Sequence, residues 1–209
     1  MFSFEDFSLC ESYSDKLAYA GKHLEFLGSG SSRHVFALND ERVLKVASNE
    51  NGIIQNNVEK YYCDSKWERL SKVFDHDDDF MWVVSEKTIP VDDGAFEKIS
   101  GISIDDLYVH LYHHATGIPL PEDLNNGFIT ECMMGSFEMR AKTKDLPIVR
   151  EIIGKSEELG FNTSDIPRIE HWGLRKSEKE NYLVINDFGR FDKRFRKYPS
   201  RNQDSVSPL

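Results

Sequence analysis

Two charged residues and a glycine-containing turn have the types and spacing needed to bind a phosphorylated ligand. Gly28-Ser29-Gly30 lies between short apolar runs, so its backbone N–H groups can close over phosphates. Lys45 lies inside the apolar run 43–47, where its ammonium needs a partner because an unpaired buried charge is costly. Glu59, 14 residues further on, can supply the carboxylate. The pattern indicates a lysine held by a glutamate beneath a glycine flap.

Asp187 adds a third charged residue, in Asp187-Phe188-Gly189 after the apolar run 182–185. A carboxylate at the end of a buried strand suits Mg²⁺, which prefers oxygen ligands and bridges to nucleotide phosphates. Each feature also has a plain structural interpretation: a hairpin for the glycines, a surface helix position for Glu59 and a turn for Asp187. A dinucleotide-binding turn is excluded because a strand, not a helix, follows the glycines.

The elements that would position these residues can be predicted from the apolar pattern. Short apolar runs bounded by turn formers predict three strands within 23–48, with a tight turn at Asn39-Asp40. Helical spacing over 51–74 predicts an amphipathic helix that carries Glu59 beside the Lys45 strand. The segment 80–90 predicts a further strand.

The second half of the sequence predicts mainly helices. Ser103 precedes an apolar helical pattern and is expected to cap it. Another helix is predicted over 129–142. Asp145 is expected to cap a helix that has a buried apolar stripe and ends at Gly160.

The last patterned segment, 168–189, predicts a hairpin. Its polar turn is expected at 177–181, and its second strand is expected to end at Asp187. The order of strands, helix, strand, helices and hairpin predicts an α+β fold.

In this order, the features resemble the protein-kinase-like fold. The glycine-rich loop of that family resembles FLGSGSSRHVF, its lysine strand VLKVA, and the helix with the partner glutamate GIIQNNVEKYY. The strand into its adenine-binding hinge resembles FMWVVSEKTIP, and its metal-binding segment INDFG. The resemblance covers about Phe26 to Gly189. It implies an N-lobe over 23–90, with an antiparallel sheet and one helix, and a reduced, mostly helical C-lobe over 91–191 with a terminal hairpin.

This resemblance also implies the roles of individual residues. The nucleotide, ATP, would be contacted by Gly28, Ser29, Gly30, Ser31, Val35, Lys45, Glu59, Glu86 and Thr88, with Glu86 and Thr88 offering backbone groups to adenine. Mg²⁺ would be bound by Asp187, with Glu170 as a second ligand. Asp165 would orient the acceptor hydroxyl. The implied function is an ATP- and Mg²⁺-dependent phosphotransferase whose acceptor, a protein serine or threonine or a small molecule, is unidentified.

Three departures from the family pattern define an alternative. Arg33 replaces the third glycine of the loop, which predicts a stiffer flap. No His-Arg-Asp-x-x-x-x-Asn motif is present; Asp165 and, five residues later, Glu170 stand in its place. Only 20 residues follow Gly189, too few for the usual substrate platform. The alternative function is therefore a pseudokinase that acts as a nucleotide-binding or protein-interaction module, and the short form resembles phage and bacterial kinase-like proteins.

Composition excludes several other classes. With 209 residues, 39% of them hydrophobic, and 25 aromatic residues, the chain predicts a folded protein. The net charge of −10 argues against nonspecific nucleic-acid binding, except through the basic segment 190–209, which carries six basic and two acidic side chains. Residues 192–209 are expected to form a flexible tail, and 1–22 an N-terminal extension.

The cellular setting predicted from the sequence is cytoplasmic. No apolar stretch approaches the roughly 20 residues of a membrane span, and the acidic start does not resemble a secretory signal. The three cysteines, Cys10, Cys63 and Cys132, offer neither a disulfide framework nor a paired metal motif.

Two weaker metal-like spacings have plainer interpretations. His110, His113 and His114 share one face of a predicted helix, but no cysteine or acid stands beside them at metal spacing. The acidic segment 75–79 lacks the glycine of a calcium loop and predicts a turn between two strands.

Overall fold

The larger sheet of the protein has five antiparallel strands in the order β1-β2-β3-β5-β4. The computed structural model describes residues 1–116, 145–160, 163, 166–175 and 181–188. The strands are β1 (Glu25–Ser29), β2 (Arg33–Ala37), β3 (Arg42–Ala47), β4 (Val73–His76) and β5 (Trp82–Glu86). The three strands predicted within 23–48 are confirmed. Their boundaries lie at the glycine turn and at the turn after Ala37, since both turns interrupt the apolar runs.

A helix, α3 (Glu50–Cys63), packs against β3 and carries Glu59. The side chain of Asn49 caps it by accepting a hydrogen bond from the N–H of Gly52 at 3.3 Å. Gly52 is needed there because a Cβ would lie 2.3 Å from the carbonyl oxygen of Ser32. The start of α3 is thereby pressed against the end of the glycine turn.

The predicted extent of this helix, 51–74, is wrong at its C-terminal end. The chain leaves the helix after Cys63 and turns at Lys66, which has a positive φ of 60°. Leu70, expected on the apolar face of the helix, instead bridges in parallel to Ile185. The residues after it form β4, so 75–79 lie at and beyond the end of a strand that pairs with β5.

The predicted strand over 80–90 is divided between two sheets. Trp82–Glu86 pairs with β3, whereas β6 (Ile89–Pro90) pairs with β7 (Trp172–Arg175), which pairs in turn with β8 (Tyr182–Ile185). The connection at 87–88 therefore joins the five-stranded sheet to a three-stranded sheet. The predicted hairpin is present, although its second strand ends at Ile185, two residues earlier than expected. Of its predicted turn, 177–180 lie outside the described residues.

Close packing explains the glycine in this hairpin. A Cβ on Gly173 would lie 2.1 Å from Oγ1 of Thr88 and 2.6 Å from Nδ2 of Asn186. Only glycine lets these two side chains cross the hairpin and hydrogen-bond to each other.

The N-terminal segment packs on the large sheet through two helices, α1 (Phe4–Ser8) and α2 (Tyr13–His23). Phe7 and Ala20 are fully buried in a core cluster with Phe36, Leu44 and other apolar residues of the sheet. Residues 1–22, described from the sequence only as an extension, therefore complete one of the two cores.

The second core lies between α3, the small sheet and three further helices: α4 (Asp93–Ser100), α5 (Ile104–Thr116) and α6 (Pro147–Leu159). Ser103 caps α5 as predicted, accepting a hydrogen bond from the N–H of Asp106 at 3.1 Å. Gly160 ends α6 as predicted, with a φ of 67°. The helix predicted over 129–142 lies outside the described residues, as does the basic segment 190–209.

The predicted cap of α6 by Asp145 is wrong. Leu146 occupies the N-cap position without a side-chain hydrogen bond, and Pro147 begins the helix. Asp145 instead pairs with Arg150 at 2.9 Å on the surface. Pro147 presets the helical φ at the first helical position, and Leu146 has no side-chain acceptor for the N–H groups that follow, so the helix starts without a side-chain cap. Within the described residues, no helix combines the length and apolar character that crossing a membrane requires.

Candidate functional site

An ion pair joins β3 to α3. The Lys45 Nζ lies 2.7 Å from Oε2 of Glu59 and donates a second hydrogen bond, of 2.6 Å, to the backbone carbonyl of Asn186. Glu59 is fully buried and Lys45 is 6% exposed. The predicted pairing of Lys45 with Glu59 is therefore present, and the lysine also contacts the residue that precedes Asp187.

Arg33 brings the second predicted carboxylate into the same cluster. Its Nη1 lies 2.7 Å from Oε1 of Glu59, and its Nη2 lies 2.9 Å from Oδ1 of Asp187. A further bond of 3.2 Å joins Nη1 to Oδ1 of Asn56 on α3. Lys45, Glu59, Arg33 and Asp187, called here the charge tetrad, thus alternate in sign, in that order, along one chain of ion pairs.

Sequence reasoning assigned Arg33 only to stiffening the flap, and this was incomplete. Arg33 begins β2, where its backbone pairs with Ala47, and its side chain is 5% exposed. The sequence offered one signal. An arginine buried at the start of a strand, beside the strand of Lys45, needs carboxylate partners. Glu59 and Asp187 are those partners, but the sequence analysis did not pair either of them with Arg33.

Burial and neighbouring charges shift the pKa values within the tetrad. Burial lowers the pKa of Lys45 below its ordinary 10.5; Glu59 opposes this effect and Arg33 adds to it. Burial alone would raise the pKa of Asp187, but the positive charges of Arg33 and Lys45 lower it to about 2. Asp187 is therefore ionised throughout the physiological range, and 37% of its side chain remains exposed.

The tetrad borders a cavity of about 700 Å³, which is within the usual range for small-molecule sites. Nine of the residues predicted from the sequence line it, and a tenth stands behind the lining. Those in the lining are Ser29, Gly30, Ser31, Val35, Lys45, Glu86, Thr88, Glu170 and Asp187. Glu59 stands behind Lys45 and Arg33, and Gly28 is not part of the lining. Lining residues that were not predicted include Leu27, Val43, Pro90, Arg168, His171 and Asn186.

The fold itself does not require the glycines of the flap. A Cβ on Gly28 or Gly30 would meet no atom within 4 Å, and neither residue has a positive φ. Gly52 and Gly173, in contrast, are fixed by contacts shorter than 3 Å. Gly30 borders the cavity, and the space above it is open. A ligand that approaches the backbone closely would need such a space.

The connection between the two sheets holds Glu86 by its backbone N–H and by its carboxylate. The N–H of Glu86 donates to the carbonyl of Lys72 at 2.8 Å, so this backbone donor is not free for adenine. Its carboxylate forms a two-point ion pair with Arg175 of β7. Thr88, the other residue predicted to face adenine, accepts a 2.7 Å hydrogen bond from Nδ2 of Asn186. Glu86 therefore ties the large sheet to the hairpin.

The predicted catalytic segment is only partly described. Asp165 lies outside the described residues. Glu170 lines the cavity and pairs with Arg168 at 2.7 Å, with both side chains about half exposed.

The charged oxygens at the cavity suit a metal ion that arrives with a ligand. Among the described residues no group of three or more His, Cys, Asp or Glu side chains is placed to hold a metal. Asp187 nevertheless keeps part of its carboxylate exposed, and its contact with Arg33 uses Oδ1. Mg²⁺ at nucleotide sites takes one or two carboxylates and completes its shell with phosphates and water. Asp187 fits that limited role.

Comparison with known proteins adds similarities of structure alone. No family model matches the sequence, and no curated protein matches it. The chain is similar to the GDP and kanamycin complex of APH(2")-IIia, at 13% identity and a TM-score of 0.38, over 80% of this chain and 67% of that one. It is also similar to ADP-bound aminoglycoside phosphotransferase APH(2'')-Ib and to choline kinase LicA from Streptococcus pneumoniae. Each of these two has 14% identity and a TM-score of 0.34, over 85% of this chain and 69% of the other. At these values the similarity carries no argument about activity, so the functional conclusion depends on the site.

Proposed function

We propose that the protein is a kinase-like phosphotransferase that binds ATP and transfers its γ-phosphate to a hydroxyl group. One observation carries the proposal: Lys45, Glu59 and Asp187, which are remote in the sequence, meet beside a single cavity bordered by a glycine turn. Phosphoryl transfer depends mainly on positioning and on neutralising charge, and this group of residues supplies both.

Binding of the nucleotide follows from the two kinds of surface in the cavity. Leu27, Val35 and Val43 give it an apolar part against which a planar base can pack. The ammonium of Lys45, fixed by Glu59, supplies the positive charge for the phosphates, and the open flap at Gly30 offers backbone N–H groups. ATP therefore lies with its base toward the valines and its phosphates toward the tetrad.

Asp187 is the ligand proposed for Mg²⁺, and Glu170 is the second ligand on the sequence prediction. When bound, Mg²⁺ supplies neutralisation of the charge that develops on the transferring phosphate. The part of the chain that performs this positioning is the segment Asn186-Asp187, anchored by the contacts of Lys45 and Arg33.

The acceptor reacts through its hydroxyl oxygen, which forms a bond to the γ-phosphorus while the bond to the β,γ-bridging oxygen breaks and ADP leaves. The proton of the hydroxyl passes to a carboxylate, for which Asp165 is the proposed residue. A protein serine or threonine and a small-molecule alcohol are the two acceptor classes.

A pseudokinase is the second candidate, and one observation favours it. Arg33 already holds Oδ1 of Asp187 at 2.9 Å, whereas an active kinase-type site keeps that carboxylate for the metal. In this alternative the protein binds nucleotide, or a protein partner, without phosphoryl transfer.

Nucleotide binding is tested by thermal unfolding with and without ATP. A ligand at 100 times its Kd adds about 2.7 kcal/mol of stability. We expect a clear rise in Tm for the wild type and no rise for Lys45→Ala, which removes the phosphate contact but leaves Glu59 paired with Arg33. Lys98→Ala, an exposed lysine on α4, is the matched control and should respond like the wild type. An equal rise in Lys45→Ala would contradict the assigned site.

Phosphoryl transfer is tested with γ-labelled ATP and a panel of acceptors: lysate proteins, an aminoglycoside and choline. Label should reach one acceptor with the wild type and none with Asp187→Ala or Asp165→Ala. Binding without transfer to any acceptor would favour the pseudokinase. Transfer that survives both substitutions would show that the roles of the two aspartates are wrongly assigned.

A further inference from the structure

The charge tetrad contains one cation, Arg33, that the pattern predicted from the sequence does not include. With glycine in place of Arg33, Lys45, Glu59 and Asp187 would carry a net charge of −1. Arg33 makes the tetrad neutral. We propose that Arg33 is a built-in cation of the nucleotide site, which compensates the charge of Asp187 and lets nucleotide phosphates bind as tightly without Mg²⁺ as with it. This inference rests on the proposed function.

The position of Arg33 supports a direct role toward a ligand. Arg33 lines the cavity, as does Lys45. Its guanidinium is held by three partners, the carboxylates of Glu59 and Asp187 and the amide of Asn56. A guanidinium fixed in this way keeps its orientation, and its planar fork suits phosphate as well as carboxylate.

The charge of Arg33 is as permanent as a protein charge can be. Burial opposes the charge, but Glu59 and Asp187 outweigh burial and raise the pKa of the guanidinium above its ordinary value. Arginine is not deprotonated in proteins, so the pairing with Asp187 does not depend on pH near neutrality.

The electrostatic consequence concerns the phosphates. In a site with a net charge of −1, the phosphate chain of ATP is repelled unless metal ions accompany it. In the neutral tetrad two cations face the cavity, and the negative charges of Glu59 and Asp187 are already compensated. Nucleotide binding therefore loses most of its requirement for a divalent cation. A metal that binds Asp187 must share or displace Arg33.

The first experiment measures the Kd of ATP by calorimetry in excess Mg²⁺ and in EDTA. For the wild type, we expect the two Kd values to agree within about threefold. For Arg33→Gly, which restores the usual glycine, we expect binding in EDTA to weaken at least tenfold relative to binding in Mg²⁺. Arg33→Lys should behave like the wild type because it keeps the charge. A tenfold loss of wild-type affinity in EDTA would overturn the inference, as would an Arg33→Gly protein without metal dependence.

The second experiment uses no nucleotide, so it separates this inference from the proposed function. Binding of Mn²⁺ is followed by the electron paramagnetic resonance of the free ion. We expect Arg33→Gly to bind Mn²⁺ at least tenfold more tightly than the wild type, and the added substitution Asp187→Asn to abolish the gain. Equal Mn²⁺ binding by the wild type and Arg33→Gly would overturn the inference. If no form of the protein bound ATP, the proposed function and the nucleotide part of this inference would both fail, and the Mn²⁺ result would test only whether Arg33 keeps a divalent cation from Asp187.

Controls address folding and nonspecific charge effects. Arg150→Gln removes an arginine whose side chain is two-thirds exposed and which pairs only with exposed Asp145 among the described residues; it should leave both measurements unchanged. Far-ultraviolet circular dichroism and unfolding curves establish that each variant is folded. If Arg33→Gly does not fold, Arg33→Gln, which keeps the bulk of the side chain and removes its charge, provides the same two comparisons.

Discussion

Two groups of charges border the cavity, and they are held in contrasting ways. The charge tetrad is buried except at Asp187, and each of its members has partners on other elements of the fold. Arg168 and Glu170 form an exposed pair two residues apart in the chain, with side chains about half accessible. The tetrad is held by β2, β3 and α3, whereas Arg168 and Glu170 are held mainly by their contact with each other.

This contrast indicates a division of labour. Buried ion pairs resist rearrangement because any separated charge would lie in a poorly solvated place, so they suit the unvarying phosphates of a nucleotide. An exposed pair is screened by water and salt, and it can open at little cost to admit a different partner. If the proposed function is right, we expect the acceptor to bind on the exposed side of the cavity.

The largest effect that tests this contrast is expected for Glu59→Ala. The substitution leaves Lys45 and Arg33 buried without their shared carboxylate, and removal of one partner of a buried pair costs about 3–5 kcal/mol. Urea unfolding gives the free energy, with Glu97→Ala, an exposed glutamate on α4, as the control expected to change stability by less than about 0.5 kcal/mol. A loss below about 1 kcal/mol for Glu59→Ala would mean that the tetrad is not held as described.

A smaller effect separates glycines that serve the fold from glycines that serve a ligand. Gly173→Ala should lower the free energy of unfolding by about 1–3 kcal/mol, because its Cβ would overlap Thr88 and Asn186. Gly30→Ala meets no neighbour and should leave stability unchanged or raise it by up to about 1 kcal/mol. Nucleotide affinity, measured by calorimetry, should fall for Gly30→Ala. Equal stability losses for the two variants would show that the flap glycine also has a packing role.

A third prediction concerns the pH dependence of Asp187. Since its pKa is lowered from 3.8 to about 2, it stabilises the folded state above pH 3.8, and this contribution is lost as the pH falls toward 2. The carbon-13 resonance of its carboxyl group should titrate with a midpoint near 2 in the folded protein. In Arg33→Gln the midpoint should rise toward 3.8, because Arg33 supplies the leading attraction. An unchanged midpoint would mean that Arg33 does not lower the pKa of Asp187.

The sequence was sufficient for the parts of the site that depend on local patterns. Lys45 is flanked by apolar residues, so its strand, its burial and its need for a carboxylate all follow from neighbouring positions. The helix that bears Glu59 was recognisable from the periodicity that begins at Ile54. These are short-range signals, and the structure has the resulting Lys45–Glu59 pair.

Other features could not be predicted because their causes lie far away in the chain. The predicted helix through 74 ran past Cys63, since Leu70 has a helical spacing but pairs with Ile185, more than 100 residues later. The split of 80–90 between two sheets depends on the hairpin at Gly173. The role of Arg33 was missed for the same reason. Its partners lie on α3 and in the Asp187 segment, and they come close to it only when these elements pack beside β2.

The smallest effect is expected for the exposed pair. Glu170→Ala removes a partner of Arg168 where both side chains are hydrated, so the free energy of unfolding should change by less than about 1 kcal/mol. Urea unfolding at low and high salt measures it, and any loss should shrink as salt increases, because exposed charges are screened. A salt-independent loss near that of Glu59→Ala would mean that Glu170 is tied into the tetrad. The two groups of charges would then form one network, and the proposed separation of nucleotide and acceptor sides would fail.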